Sequence, residues 1–158
     1  MSKYRDNPEA VQALVRPGEV HKDLYVDPEL FELEMEQLFA NTWVYVGHAS
    51  QVPQPGDYFT TTVGTEPVVM VRHTDRSVRV LVNRCPHKGV QVAGGTCGNT
   101  GKFFRCPYHA WTFKTDGSLL SLPLRKGYEN TGFENCEASQ GMATAGAVHV
   151  YRDFVFCR

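Results

Sequence analysis

Two short stretches of the sequence each place a cysteine close to a histidine. Cys85 and His87 lie two positions apart in NRCPHKGV, and Cys106 and His109 lie three positions apart in CPYHAW. Thiolate sulfur and imidazole nitrogen are ligands that transition metals take in proteins. Both stretches contain proline and follow runs rich in β-forming residues, which indicates turns at strand ends. The sequence therefore predicts a metal site with two sulfur and two nitrogen ligands, contributed by two loops.

Two kinds of metal centre use this set of ligands. Zinc accepts two cysteines and two histidines, but zinc fingers usually place the cysteines in one half of the motif and the histidines in the other. Here each loop is mixed, and mixed loops suit a two-iron cluster in which one iron binds both cysteines and the other both histidines. We favour the two-iron cluster and keep zinc as the alternative. The other cysteines and histidines are predicted to be structural or surface groups: Cys97, Cys136, Cys157, His21, His48, His73 and His149.

The elements that position these loops are predicted to be β-strands behind one helix. Residues 1–26 show no clear period and are interpreted as an irregular arm. Residues 27–43 are predicted to be a helix, with Asp27 as its N-cap and Pro28 at its first position. Its apolar residues are expected to contact the core: Leu30, Phe31, Met35, Leu38 and Phe39.

From Trp43 onward, short runs of β-branched and aromatic residues alternate with turn signals. The runs are WVYVG, DYFTTTV, PVVMVR, VRVLVN, KFFR and WTF, and AVHVYRDFVFCR adds one or two more strands. Strands this short and closely spaced are typical of an antiparallel sandwich or a small barrel. The predicted fold class is therefore all-β, an antiparallel β-sandwich with an N-terminal helix and two metal-binding loops.

Composition limits the function classes. The chain has 158 residues, a formal net charge of −1 and 42% hydrophobic residues, which suits one globular domain with a decorated end. The near-neutral charge argues against nucleic acid or an anionic membrane as partner. No apolar run approaches the roughly 18 residues of a membrane span. Five cysteines and no export signal predict a reducing, cytoplasmic location.

The two stretches together resemble the Rieske [2Fe–2S] motif, C-x-H followed by C-x-x-H, with 18 residues between His87 and Cys106. The resemblance implies that Cys85 and Cys106 bind one iron and that His87 and His109 bind the other. It also implies an electron-transfer function for the domain.

Within that family, the sequence is more similar to ring-hydroxylating oxygenase large (alpha) subunits than to a stand-alone Rieske ferredoxin, which remains the alternative. The similarity lies in the helix before the first strand, in PGDY, and in KTDGSLLSLPLRKGYENTGF after the second loop. It implies an N-terminal arm and helix at 1–42, a Rieske domain at 43–158, and a catalytic domain with a mononuclear Fe(II) beyond residue 158. The implied partners are a reductase, with or without a ferredoxin, and sister subunits in a homotrimer or alpha/beta hexamer.

Several positions depart from what the resemblance leads us to expect. Ala110 follows the second histidine where a glycine is usual, and a methyl group there would strain a backbone of positive φ. Val90 and Tyr108 stand where the Rieske proteins of cytochrome bc complexes carry two further cysteines, so a disulfide between the loops cannot form. Trp111 replaces a serine of those proteins that donates to a cluster sulfur. We therefore predict a reduction potential near the low end of the roughly −150 to +300 mV Rieske range.

Overall fold

The computed structural model describes residues 2–131 and 140–158, so Cys136 lies outside the described residues. The chain divides into two compact units, Met1–Thr42 and Trp43–Arg158. No helix among the described residues is long and apolar enough to cross a membrane.

The first unit is more regular than its sequence indicates. Its elements in chain order are α1 (Pro8–Gln12), β1 (Val15–Arg16), β2 (Glu19–Val20), α2 (Asp23–Val26), α3 (Pro28–Leu33) and a π-helical segment (Glu34–Phe39). The prediction of an irregular arm over 1–26 is therefore wrong. The four elements within residues 1–26 are only two to five residues long, too short to leave a periodic pattern. Their stability comes from a small core that they share with α3, formed by Tyr4, Leu14 and Leu30.

The predicted helix begins as expected but ends early. The Asp27 carboxylate accepts a hydrogen bond of 2.9 Å from the Glu29 amide, and Pro28 occupies the first turn. The helix stops at Phe39 rather than at residue 43. The side-chain amide of Asn41 donates to the carbonyls of Glu36 and Gln37, which satisfies the helix end at that point.

The prediction that the apolar residues of this helix all contact the core is wrong for two of them. Leu30 is buried at 4% exposure, but Phe31 and Leu38 are 52% and 54% exposed. From Glu34 the helix adopts π geometry, in which the Ala40 N–H donates to the Met35 carbonyl five residues earlier. A wider turn moves the side chains that follow Glu34, Leu38 among them, off the face that a period of 3.6 would give them.

The described residues of the second unit form ten strands and two short 3₁₀ helices, Ala49–Gln51 and Arg125–Tyr128. Every ladder between these strands is antiparallel, so the predicted all-β antiparallel class is confirmed. The strands are β3 (Val44–His48), β4 (Asp57–Val63), β5 (Glu66–Arg72), β6 (Val78–Val82), β7 (Cys97–Asn99), β8 (Phe103–Arg105), β9 (Thr112–Lys114), β10 (Leu119–Ser121), β11 (Val148–Tyr151) and β12 (Phe154–Cys157). They form three sheets with the orders β6-β5-β4-β7, β10-β9-β8 and β11-β12-β3.

The central strand β5 is buried on both faces, which explains its unbroken apolar run. Val69 and Val71 point to one face and pack in a core with residues of β8, β9 and the predicted ligand loops. Val68 and Met70 point to the other face and pack against residues of β3 and β12. All four are fully buried. Alternate residues of a strand face opposite sides, so a central strand of this kind needs apolar residues at every position.

Candidate metal centre

The first predicted ligand loop follows β6 and is closed by its own backbone. The Cys85 N–H donates to the Val90 carbonyl at 2.8 Å, and the Gly89 N–H donates to the Cys85 carbonyl at 2.8 Å. Gly89 has φ of +73°, the left-handed conformation that glycine adopts without steric cost. The loop is thus a tight turn in which Cys85 and His87 are both held close to the strand end.

The second loop, between β8 and β9, repeats the same turn. The Cys106 N–H donates to the Trp111 carbonyl at 2.8 Å, and the Ala110 N–H donates to the Cys106 carbonyl at 3.1 Å. Ala110 stands four residues after its cysteine, as Gly89 does in the first loop, and has φ of +57°. The suspected strain at Ala110 is therefore present, because the turn requires a left-handed residue whatever its side chain.

The two predicted cysteine ligands lie together in the core. Cys85 and Cys106 are each 3% exposed. Burial raises the pKa of the Cys85 thiol, and the hydrogen bond with Cys106 raises it further. The backbone N–H groups of His87 and Lys88 donate hydrogen bonds to the sulfur and partly oppose this rise in pKa. Two adjacent buried sulfurs with backbone donors directed at one of them form a pocket suited to an anionic sulfur-bound group.

The two predicted histidine ligands lie side by side, nearer the surface. The ring centroids of His87 and His109 are 4.6 Å apart with an interplanar angle of 68°. His87 is partly buried and His109 is exposed. Burial, followed by the charges of His109 and Lys88, lowers the pKa of His87. A neutral imidazole keeps the lone pair that a metal requires.

One polar atom of this site is buried without a partner. His87 Nδ1 has no hydrogen-bond partner among the described residues. A buried, unsatisfied nitrogen costs free energy unless something binds it, and a metal ion would satisfy this one. Together with the sulfur pair, this atom fits a group that takes two sulfur and two nitrogen ligands.

The described residues contain no group of three or more cysteine, histidine or acidic side chains that converges on one metal position. A two-iron cluster needs only two protein ligands for each iron, so this finding is compatible with it. The donor set of paired sulfurs and paired imidazoles therefore fits a [2Fe–2S] group.

Aromatic rings flank both histidines. The indole of Trp111 stacks on the His87 ring with centroids 4.8 Å apart and planes 5° apart. The Tyr108 ring lies 3.8 Å from the His109 ring at an angle of 33°. Trp111 is 2% exposed and Tyr108 is 61% exposed. The four rings thus form one continuous row from the core to the surface.

Asn83 supports the first loop, a role that the sequence analysis did not predict. Its side chain is 2% exposed. Its amide nitrogen donates to the Ala93 carbonyl at 2.8 Å, and its oxygen accepts from the Val92 and Ala93 amides at 3.1 and 2.9 Å. An asparagine two residues before a predicted ligand, at the end of an apolar strand, was the available signal, because a polar residue there must find buried partners.

The remaining cysteines and histidines of the described residues have other surroundings. Cys97 is exposed on β7, and Cys157 is buried in the second core. His48 contacts Ser50, His73 contacts Thr115, and His149 lies beside Trp43. His21 pairs with Asp23 in the first unit.

A family model matches most of the second unit. Residues 42–134 match the Rieske [2Fe-2S] domain, and the chain belongs to that family. The alpha subunit of benzene 1,2-dioxygenase from Pseudomonas putida is 36% identical over 139 residues, which is 88% of this chain and 30% of that subunit. The chain therefore spans about 30% of the length of the curated relatives it matches.

Solved structures extend the comparison. The naphthalene 1,2-dioxygenase of a Rhodococcus species superposes with a TM-score of 0.78 at 30% identity, covering 87% of this chain and 31% of that one. A quaternary ammonium Rieske monooxygenase in complex with L-carnitine superposes with a TM-score of 0.76 at 36% identity, covering 87% and 37%. Dioxygenases and a monooxygenase thus share this domain.

Proposed function

We propose that this chain is the electron-transfer Rieske domain of an oxygenase alpha subunit. In this proposal it passes electrons from a reductase or ferredoxin to a mononuclear iron site that activates O₂. The observation that carries the proposal is the pairing of buried Cys85 and Cys106 with His87 and His109, whose rings lie 4.6 Å apart. The similarity to the benzene and naphthalene dioxygenases supports it.

We assign Cys85 and Cys106 to one iron and His87 and His109 to the other. When bound, a cluster of this type accepts and releases one electron at a time. The chain supplies a core that keeps water from the sulfurs, and backbone N–H groups of His87 and Lys88 that stabilise negative charge on Cys85. His109 is exposed, so a group on a partner can approach its imidazole.

The proposed partners are a reductase, with or without a ferredoxin, and sister subunits in a homotrimer or an alpha/beta hexamer. A quaternary ammonium Rieske monooxygenase structure is described in terms of inter-subunit electron transfer. We propose the same arrangement here, with the exposed side of His109 directed at a neighbouring subunit. The odd number of cysteines, five, supports a reducing, cytoplasmic setting.

The proposed substrate is an aromatic ring. Relatives by sequence include benzene, biphenyl and chlorobenzene dioxygenase subunits. A quaternary ammonium compound is the second candidate, because the monooxygenase bound to L-carnitine is as similar in identity, at 36%, as benzene dioxygenase is.

The first test is the iron and acid-labile sulfide content of the native gene product, together with its intact mass. We expect three irons and two sulfides on a polypeptide well beyond 158 residues. Two irons and two sulfides on a chain that ends at Arg158 would instead establish the alternative, a stand-alone Rieske ferredoxin. Zinc without sulfide would reject both.

A substitution tests the ligand assignment directly. We expect His109→Ala to abolish cluster assembly, because one iron would lose half of its protein ligands. His149→Ala is the matched control, since His149 is also exposed but lies beside Trp43 in another sheet. Iron and sulfide analysis of the purified variants is the measurement. A full complement of both in the His109 variant would contradict the assignment.

A further inference from the structure

We propose that Trp111 is a positioning residue that fixes the ring of His87 and ties the first ligand loop to the second. This inference rests on the proposed function, because it takes His87 as a cluster ligand. It adds a residue that binds no iron but sets the orientation of one that does.

The contact between Trp111 and His87 is a parallel stack. The two planes are 5° apart, with centroids at 4.8 Å. The other ring neighbours of Trp111 meet it at steeper angles, Phe113 at 47° and Tyr128 at 80°. The indole is 2% exposed, and this burial holds it in place with its flat face against the imidazole.

Trp111 also belongs to the second loop. Its carbonyl accepts the Cys106 N–H at 2.8 Å and closes that turn. One residue therefore completes the loop of Cys106 and His109 through its backbone, and touches the loop of Cys85 and His87 through its side chain. A disulfide cannot make this link, because Val90 and Tyr108 stand where the Rieske proteins of cytochrome bc complexes carry their two further cysteines.

Orientation matters because of how histidine side chains rotate. The torsion between Cβ and the imidazole ring has broad, shallow minima, so an unsupported ring samples many tilts. The atom available for a metal, His87 Nδ1, has no hydrogen bond to a described residue that would fix it. A flat indole against the ring restricts its tilt, as outer-shell partners of metal-binding histidines commonly do.

The test compares variants of residue 111 in the full polypeptide that carries this sequence. Phe and Tyr keep a flat ring, whereas Leu and Met keep apolar volume without one. Phe113→Leu is the control: Phe113 is fully buried in the same core, two residues along the chain, and is a ring neighbour of Trp111 rather than of His87. The readouts are the electron paramagnetic resonance line shape of the reduced cluster and the rate of bleaching by a chelator.

We expect W111L and W111M to broaden the resonance and to bleach about threefold to tenfold faster, which corresponds to the ~0.6–1.4 kcal/mol of a stacked ring pair. W111F, W111Y and F113L should keep the wild-type line shape. If W111L and W111M fail to assemble a cluster while the other three succeed, the inference also holds.

Three results would overturn the inference: a wild-type line shape and bleaching rate in W111L, loss of the cluster in W111F and W111Y as well, or the same broadening in F113L. A wild-type protein without iron, sulfide or a Rieske resonance would instead reject the proposed function itself. The two failures are therefore distinguishable.

Discussion

Ala110 occupies a backbone position that suits glycine, and its cost can be isolated. Steric strain in the left-handed region lowers the stability of a protein with alanine there by roughly 1–2 kcal/mol. Glycine avoids this strain, but its greater freedom in the unfolded chain lowers the stability by about 0.4–1 kcal/mol. Ala110→Gly should therefore stabilise the protein by about 0.5–1 kcal/mol, or about 1–4 °C in Tm for a chain of this size. Thermal unfolding of the 158-residue chain measures the difference.

The reciprocal change in the first loop is the control. Gly89 has the same left-handed backbone, and a Cβ built there meets no atom within 4 Å. Gly89→Ala should therefore destabilise the protein through backbone strain alone, by an amount similar to the gain at Ala110. A lower Tm in the Ala110→Gly variant would show that the methyl group contributes packing that outweighs its strain.

Asn83 is the polar residue on which the first loop depends. Asn83→Ala would leave the Val92 and Ala93 amides without the oxygen they now share. Each unsatisfied buried group costs about 1–3 kcal/mol, so the loss should reach about 2–4 kcal/mol in urea unfolding. Asn99→Ala is the control, because that amide is exposed and should cost less than about 1 kcal/mol. Equal losses at both positions would exclude a special role for Asn83.

Among the elements of the first unit, α3 is hydrogen-bonded to residues 2–5 through the side chain of Glu29. Its carboxylate accepts from the backbone amides of Lys3, Tyr4 and Arg5 at 2.9, 3.0 and 2.9 Å, and also from the Ser2 hydroxyl. These hydrogen bonds lower the pKa of Glu29 from 4.5 to about 2, the hydroxyl contributing most. Because the folded-state pKa is lowered, the stability contributed by the ionised Glu29 carboxylate is fully present above pH 4.5 and is lost as the pH falls toward 2.

This linkage predicts a titration that nuclear magnetic resonance can follow. The amide signals of residues 3–5 should shift with a midpoint near pH 2 in the wild-type chain. In Glu29→Gln the amide side chain does not ionise in this range, so the transition should disappear. A midpoint at the ordinary value of 4.5 in the wild type would show that the carboxylate does not hold the segment.

The sequence predicted those elements whose side chains carry a pattern. DYFTTTV matches β4 residue for residue, because β-branched and aromatic residues fit a half-buried strand of this kind. Cys97–Asn99 was missed because all three of its residues are exposed. It is a strand only through its pairing with Asp57–Phe59, and the sequence of a short segment does not encode its pairing partner.

For the candidate site too, the sequence predicted the residues that follow a local pattern and not the contacts between distant residues. Cysteine and histidine at fixed short spacings identify ligands without any knowledge of the fold. The stack of Trp111 on His87 and the clamp of Asn83 join residues 24 and 10 positions apart. Contacts of that kind arise from the packing of β6, β8 and β9, so they had to come from the structure.

At the scale of the whole molecule, the described cysteines divide into three environments. Cys97 is exposed, Cys157 is buried in the core between β3, β5 and β12, and Cys85 and Cys106 are buried in the core under the two loops. Only the last two are proposed to bind iron. A thiol reagent attacks the thiolate and needs access to it, so burial and a raised pKa both slow the reaction.

Alkylation with iodoacetamide, read by peptide mass spectrometry, should separate these environments. Cys97 should react quickly whether or not the cluster is present. Cys157, whose pKa is raised by burial, should stay unmodified in the folded protein in both states. Cys85 and Cys106 should react slowly after removal of iron by a chelator and not at all while the cluster is bound. Cys157 and the two proposed ligands are similarly buried, at 2% and 3% exposure. Burial therefore does not explain a change in alkylation rate that removal of the cluster causes at Cys85 and Cys106 and not at Cys157. Equal cluster dependence of Cys157 would show that iron stabilises the whole fold rather than protecting its own ligands.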